Sequence, residues 1–194
     1  MTCIPGFLDF SASVLRQALR PGDLAVDATL GNGRDAVLLA HGVGSAGTVF
    51  CFDIQEAAIR RAGERLAAAG LLDRVRIFRT GHEHLAEHLP PESRRKVRAA
   101  TFNLGFLPGS DRRVVTRPET SLSALRDIMP FMAPGGIVSV AVYTGHPGGR
   151  AEGEAIAAWC EALDPAFWRV VRYEQVNKPV NREALYLLER IGDQ

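Results

Sequence analysis

Val26-Asp27-Ala28-Thr29-Leu30-Gly31-Asn32-Gly33-Arg34-Asp35-Ala36-Val37-Leu38-Leu39-Ala40 is the stretch whose reading decides the fold. Leu24 to Ala28 is a short apolar run and predicts a buried strand. Gly31-Asn32-Gly33 is a turn. From Arg34 to Ala40 the chain restarts as a helix carrying Ala36, Val37, Leu39 and Ala40. Strand, glycine turn and helix together form the unit that binds nucleotide-like ligands in open α/β sheets. Glycine suits the turn because a Cβ would forbid positive φ and hold the backbone away from a ligand. The N–H groups at the start of the following helix lack helical partners and face polar ligand atoms.

Two carboxylates sharpen this reading. Asp27 stands four residues before Gly31, in the pattern Asp-x-x-x-Gly-x-Gly. A second apolar run, Thr48 to Phe52, ends at Asp53, 22 residues after Gly31, where an acid accepts ribose hydroxyls. Ala36 stands where a dinucleotide fingerprint has its third glycine, a substitution that fingerprint tolerates. The pattern resembles class I S-adenosylmethionine methyltransferases, and an NAD-binding unit remains the alternative.

The chain of 194 residues, 46% hydrophobic and 23% charged, is expected to form one domain over 1–194, with 1–23 as an N-terminal helical segment. No apolar run reaches the ~18 residues of a membrane span. Met1 to Phe10 lacks a basic segment followed by an apolar one, so no signal peptide is read. Cys3, Cys51 and Cys160 are scattered and unpaired in spacing, which suits a reducing cytoplasm. A net charge of +1 supplies no global field for nucleic acid, so an RNA partner must be held by local patches.

The remaining periodicities alternate. Helices are expected over Asp9–Leu19, Glu56–Ala69, Glu119–Met132 and Glu152–Leu163. Strands are expected over Val75–Phe78, Ala99–Phe102, Ile137–Tyr143, Trp168–Tyr173 and Ala184–Leu188. Ala57, Ile59, Ala62, Leu66 and Ala69 are expected to face inward from their helix, and Pro134-Gly135-Gly136 reads as a turn. The first helix is expected at the sheet edge or as a lid over the cofactor. The sum is an α/β fold: a mostly parallel seven-stranded sheet, helices on both faces, and a C-terminal antiparallel hairpin. Such sheets bind ligands beyond the carboxyl ends of their strands, where Asp27, Asp53, His82, Asn103 and Tyr143 fall.

Asn103, in Asn-Leu-Gly-Phe-Leu-Pro-Gly, loosely resembles the Asn/Asp-Pro-Pro-Tyr/Phe motif of amino-methyltransferases. An Asn amide and a neighbouring carbonyl can accept hydrogen bonds from an amine and aim its lone pair. Tyr143 and His146, in Tyr-Thr-Gly-His-Pro-Gly-Gly, suit substrate recognition or proton removal. Glu152 opens the next helix, where the dipole alone would favour it. His82, His84 and His88 lack a supporting carboxylate pattern for zinc, and His82 reads better beside an adenine pocket. Arg94-Arg95-Lys96 and Arg98 read as a solvated loop, whereas Arg112, Arg113 and Arg117 flank the Asn103 loop where RNA phosphates could arrive.

Four motifs in order carry a more specific resemblance: Asp-Ala-Thr-Leu-Gly-Asn-Gly-x-Asp (27–35), Phe-Asp-Ile-Gln (52–55), Phe-Asn-Leu-Gly-Phe-Leu-Pro-Gly (102–109) and Tyr-Thr-Gly-His-Pro-Gly-Gly (143–149) with Glu152. They are similar to the "putative rRNA methylase" family, which includes the MnmM-type tRNA methyltransferases. The resemblance implies S-adenosyl-L-methionine as methyl donor. The target it implies is the amino group of 5-aminomethyl-2-thiouridine at wobble position 34, reached through the anticodon region of tRNA, with a homodimer as the assembly. Carried onto this sequence, Asp27, Thr29, Gly31, Asn32, Gly33, Asp35, Asp53, Ile54, Gln55, His82, Asn103 and Gly105 hold the cofactor. Leu107, Asp111, Arg112, Arg113, Gly145 and Glu152 meet the substrate, and Asn103, Tyr143 and His146 act in catalysis. Arg34 and the segment 178–183 depart from the family's pattern. An rRNA or small-molecule methyltransferase, an NAD-dependent oxidoreductase and a non-catalytic RNA-binding protein are the alternatives.

Overall fold

The first strand, β1 (Leu24–Asp27), is an apolar run because no side of it meets water. It lies in parallel between β2 (Thr48–Phe52) and β4 (Val97–Leu104). The computed structural model describes residues 3–107, 109, 113–178, 180 and 183–192. Asp111 and Arg112, assigned above to substrate, lie outside the described residues. With β3 (Val75–Phe78), β5 (Met132–Tyr143), β6 (Trp168–Glu174) and β7 (Glu183–Arg190), the sheet runs β3-β2-β1-β4-β5-β7-β6. Only β7 runs against its neighbours, pairing antiparallel with β5 and β6. This is the expected α/β sheet with its terminal hairpin.

Period-two alternation gives the sheet two apolar faces. Val26, Phe52, Phe102 and Val140 face one side, under α4 (Leu85–His88), α5 (Pro118–Ile128) and α6 (Gly149–Glu161). Ala25, Cys51, Ala99 and Ala141 face the other, under α1 (Phe7–Ala18), α2 (Arg34–Val43) and α3 (Glu56–Ala68). Among the described residues no helix is long and apolar enough to cross a membrane.

Several local expectations are corrected. α1 does not sit at the sheet edge; its Leu15 stripe packs on the face over β5 and β7, where Ile137, Leu185 and Leu187 supply an apolar bed. Its Ser11 hydroxyl bonds the buried Ser139 hydroxyl at 2.7 Å. α3 turns Ala58, Ala62 and Leu66 inward, leaving Ala69 exposed. β4 is twice the expected length, so Asn103 lies within the strand instead of after it.

Finally, Pro134-Gly135-Gly136 is no turn before a strand but a bulge inside β5. The pairing jumps from Val97–Met132 to Ala99–Ile137, so the extra residues loop out between them. Gly135 takes φ +72°, and a Cβ on Gly136 would come within 2.8 Å of the Ala133 carbonyl. α5 ends early at Ile128 because Pro130 follows, and a 3-10 turn (Met129–Phe131) leads into β5.

Candidate active site

The carboxyl ends of β1, β2, β4 and β5 bring Asp27, Asp53, Asn103 and Tyr143 to one edge around the Gly31–Gly33 turn. Asp53 organises that turn. Its Oδ2 accepts the Gly31 N–H at 2.9 Å and its Oδ1 accepts the Gln55 N–H at 2.8 Å. Each carboxylate oxygen keeps a further lone pair for a hydroxyl. Burial pushes the Asp53 carboxyl above the usual carboxylate range, and its amide donors pull it back. Beside it, Ile54 is 54% exposed, an apolar surface next to the acid.

Both glycines need their backbone freedom, for different reasons. Gly31 has φ +49°, and its missing Cβ would point toward Leu107, 3.6 Å away. At Gly33 the expected reason, ligand approach, is replaced by packing: a Cβ there would sit 2.9 Å from Ala62 of α3. Arg65 of the same helix donates to the Asn32 carbonyl at 2.8 Å, so α3 holds the turn from behind.

Asp27 is fully buried under the turn. Its Oδ1 accepts the Thr29 N–H at 3.2 Å, while Oδ2 has no partner. Burial, reinforced by the nearby Asp35 charge, pushes its carboxyl up to about 8. Asp35, at the start of α2, reaches across to β4: Asn103 Nδ2 donates to its Oδ2 at 2.7 Å. The Asn103 N–H donates to Thr29 Oγ1, also at 2.7 Å. The Asn103 amide is therefore fixed between the first and fourth strands, its nitrogen committed to Asp35 and its oxygen the side chain's acceptor.

Tyr143 ends β5, and His146 lies in the loop that follows. Burial first, then the Asp35 and Glu183 charges, push the Tyr143 phenol up to about 12, so it is a donor rather than a base at neutral pH. His146 is 9% exposed, with Nδ1 at 3.0 Å from the Pro147 carbonyl. A carbonyl can only accept, so Nδ1 carries a proton, and in the neutral ring of this tautomer Nε2 is the acceptor atom. That Nε2 is buried and unpartnered, and lies 3.7 Å from where a Cβ on Gly105 would stand. Gly149 makes room for the ring: a Cβ there would fall 2.8 Å from Nε2.

The segment after β4 folds back over the turn. Phe106 bridges Val115, and the Thr116 N–H donates to the Gly105 carbonyl at 2.9 Å, closing its neck. Leu107 is buried against the glycine turn; Arg113, Arg117 and Gly145 are exposed at the rim. Glu152 differs from its assignment to substrate. It is fully buried and accepts Thr116 Oγ1 at 2.7 Å and Ser121 Oγ at 2.6 Å, so it anchors the loop from behind. Neither Thr116 nor Ser121 stood out in the sequence, because nothing local marks a hydroxyl whose partner lies more than 30 residues away.

The three histidines after β3 part company. His82 is buried edge-on to Phe102, its Nε2 unpartnered, and burial lowers its pKa, keeping the ring neutral. His84 pairs with Glu87 at 2.9 Å, and His88 packs on Phe78.

The chain carrying this site is similar to known proteins. Residues 49–189 match the family described as "Putative rRNA methylase". A chloroplastic tRNA (mnm(5)s(2)U34)-methyltransferase from Arabidopsis thaliana is 35% identical over 185 residues, 91% of this chain and 67% of that protein. A "putative rRNA-methylase" from Clostridium thermocellum has the same fold at TM-score 0.92 and 35% identity, over 98% of this chain and 100% of the other. A "putative methyltransferase" from Streptococcus mutans, solved in complex with SAH, superposes at TM-score 0.86 with 31% identity, covering 97% and 99% of the two chains. The family match spans well over half of the chain, and the chain belongs to the "putative rRNA methylase" family.

Proposed function

We propose that this protein is an S-adenosyl-L-methionine-dependent methyltransferase acting on tRNA, and that it methylates the amino nitrogen of 5-aminomethyl-2-thiouridine at wobble position 34. The observation that carries the cofactor reading is the set of carboxylates, Asp27, Asp35 and Asp53, gathered at the glycine turn. Of these, Asp35 and Asp53 attract a sulfonium and an ammonium group and repel the pyrophosphate of a dinucleotide, while Asp27, its carboxyl pushed up to about 8, keeps its proton beneath the turn. The unpartnered Asp27 Oδ2, buried beneath the turn, also awaits a polar partner. The Arabidopsis relative supports tRNA as the substrate, and its name specifies the wobble nucleoside.

The residues present fit the cofactor. Asp53 and the exposed Ile54 would hold a ribose and a flat base; Gly31, Asn32 and Gly33 would hold the polar end, with Asp27 and Asp35 near the positive charge. When bound, S-adenosylmethionine supplies a methyl group on a cationic sulfur, open to direct displacement by an amine. The protein's task is alignment and proton removal. The Asn103 oxygen accepts an N–H of the substrate amine, which turns its lone pair toward the methyl. His146 Nε2 is the acceptor for the proton that the alkylated nitrogen must lose. Tyr143 stays a phenol and donates a hydrogen bond. Leu107 over the glycine turn excludes water, and Arg113 and Arg117 meet phosphates at the rim.

Nucleoside mass spectrometry of tRNA from cells lacking the gene tests this reading. Accumulation of 5-aminomethyl-2-thiouridine, reversed by the wild-type gene, is expected. A normal tRNA profile with a methyl group missing from rRNA would move the activity to the ribosome.

A further inference from the structure

The opposite end of the sheet carries a feature that the reaction edge does not use. There β4, β5 and β6 begin and β7 ends, with Val97 paired to Met132 and Trp168 to Arg190. A cleft of about 480 Å³ opens at this end, where Arg94, Arg95, Arg126 and Arg190 surround Pro130 and Phe167. Among the described residues no carboxylate lines it. β5 separates the cleft from Tyr143 by roughly 30 Å, taking ~3.3 Å per residue.

Four guanidiniums converge here in a chain whose net charge is only +1. They come from three segments: the loop before β4, the last turn of α5, and the end of β7. The Arg94 guanidinium lies 5.0 Å from the Phe131 ring centroid, a cation–π contact that orients its plane. Arg190 is buried and anchored by carbonyls, Nη1 to Met132 at 2.8 Å and Nε to Gly192 at 3.2 Å. The planar fork of arginine matches two oxygens of one phosphate better than a lysine point charge does.

α5 connects this cleft to the reaction edge. Arg117 caps its start beside the Asn103 loop, and Arg126 lies in its last turn, ~14 Å along the helix at ~1.5 Å per residue. A single polyanion can touch both ends. We propose that the arginine cleft binds phosphodiester oxygens of the RNA substrate, a second contact remote from the nucleoside being methylated. This inference rests on the RNA reading above.

Arg94 and Arg126 are exposed, so R94A/R126A should fold; matched thermal melting and an R94K/R126K variant control for structure and charge. Binding of tRNA is measured by fluorescence anisotropy across a salt series, alongside KM and kcat for methyl transfer and calorimetry with S-adenosylmethionine. The alanine pair is expected to lower the log–log salt slope by roughly one to two units and to raise KM for tRNA about tenfold. Affinity for S-adenosylmethionine should not move, and the lysine pair should keep most of the slope. A wild-type slope and KM in R94A/R126A, with methyl transfer intact, would overturn the cleft assignment and leave the proposed reaction standing. Wild-type protein that binds tRNA with a slope the alanine pair lowers, yet transfers no methyl, would support the cleft and contradict the reaction. Inorganic phosphate that raises the melting temperature of wild type but not of R94A/R126A, with the tRNA slope unchanged, would assign the cleft to a free phosphate compound and overturn the RNA proposal.

Discussion

At the scale of single residues, Asn103 is the pivot, tied to Thr29 and Asp35 by bonds of 2.7 Å each. Replacing it with alanine should slow single-turnover methyl transfer by about 100-fold while cofactor and tRNA affinities change little, because misplacement acts on the chemical step. A variant that melts earlier but reacts at a near-normal rate would reduce Asn103 to a strand-end support. Asp27 makes a separate prediction. Its carboxyl moves from 3.8 to about 8, so between those values the folded protein holds a proton that the unfolded chain has released. Its contribution to stability is therefore greatest below about pH 4 and is lost as pH rises toward 8, at up to about 1.4 kcal/mol per pH unit. Denaturant unfolding of wild type and Asp27→Asn across that range should show the wild type losing ground steadily. A pH-independent difference would mean that Asp27 is an ordinary carboxylate. The positions of Asp27, Gly31, Asp53 and Asn103 were legible because each follows an apolar run at a telling spacing. The Asn103–Asp35 bond was not, since it joins two elements 68 residues apart.

At the scale of elements, the loop between β4 and α5 depends on α6. Glu152 holds Thr116 and Ser121, two hydroxyls on either side of the start of α5. Glu152→Ala leaves both without their charged acceptor, and a loss of about 3 kcal/mol is expected in denaturant unfolding. Methyl transfer should show a raised KM for tRNA, since the loop it anchors forms the rim. Unchanged stability would place the loop's support elsewhere. Gly149→Ala tests the neighbouring contact. Its Cβ would press on the Tyr143 carbonyl and on His146 Nε2, so the rate should fall more than the melting temperature. Equal rates in the two proteins would exclude His146 from the reaction. Most elements were readable as apolar runs or 3.6-residue stripes. The start of β5 was hidden because Pro134-Gly135-Gly136 spells a turn locally. Only pairing with Val97 and Ala99 makes it a bulge. The α1 stripe announced a helix but could not say which face of which strands would receive it.

At the scale of the whole molecule, the sheet separates two jobs. The carboxyl ends of the parallel strands gather acids around a glycine turn, and the amino ends gather arginines. The alternation of strands and helices made the parallel sheet legible. The arginine cleft was not, because Arg94, Arg126 and Arg190 belong to distant segments and each looks like solvated surface on its own. A cationic cofactor at one end and a polyanionic substrate spanning the molecule follow from that polarity. The reaction itself is tested by one reconstitution: purified protein, S-adenosylmethionine carrying an isotopically labelled methyl group, and tRNA bearing 5-aminomethyl-2-thiouridine, with digestion and mass spectrometry of the nucleosides. The account predicts that the label appears on the amino nitrogen of the wobble nucleoside and is absent from tRNA lacking the aminomethyl group. Label on any other nucleoside, or none in protein that binds the cofactor, would contradict it.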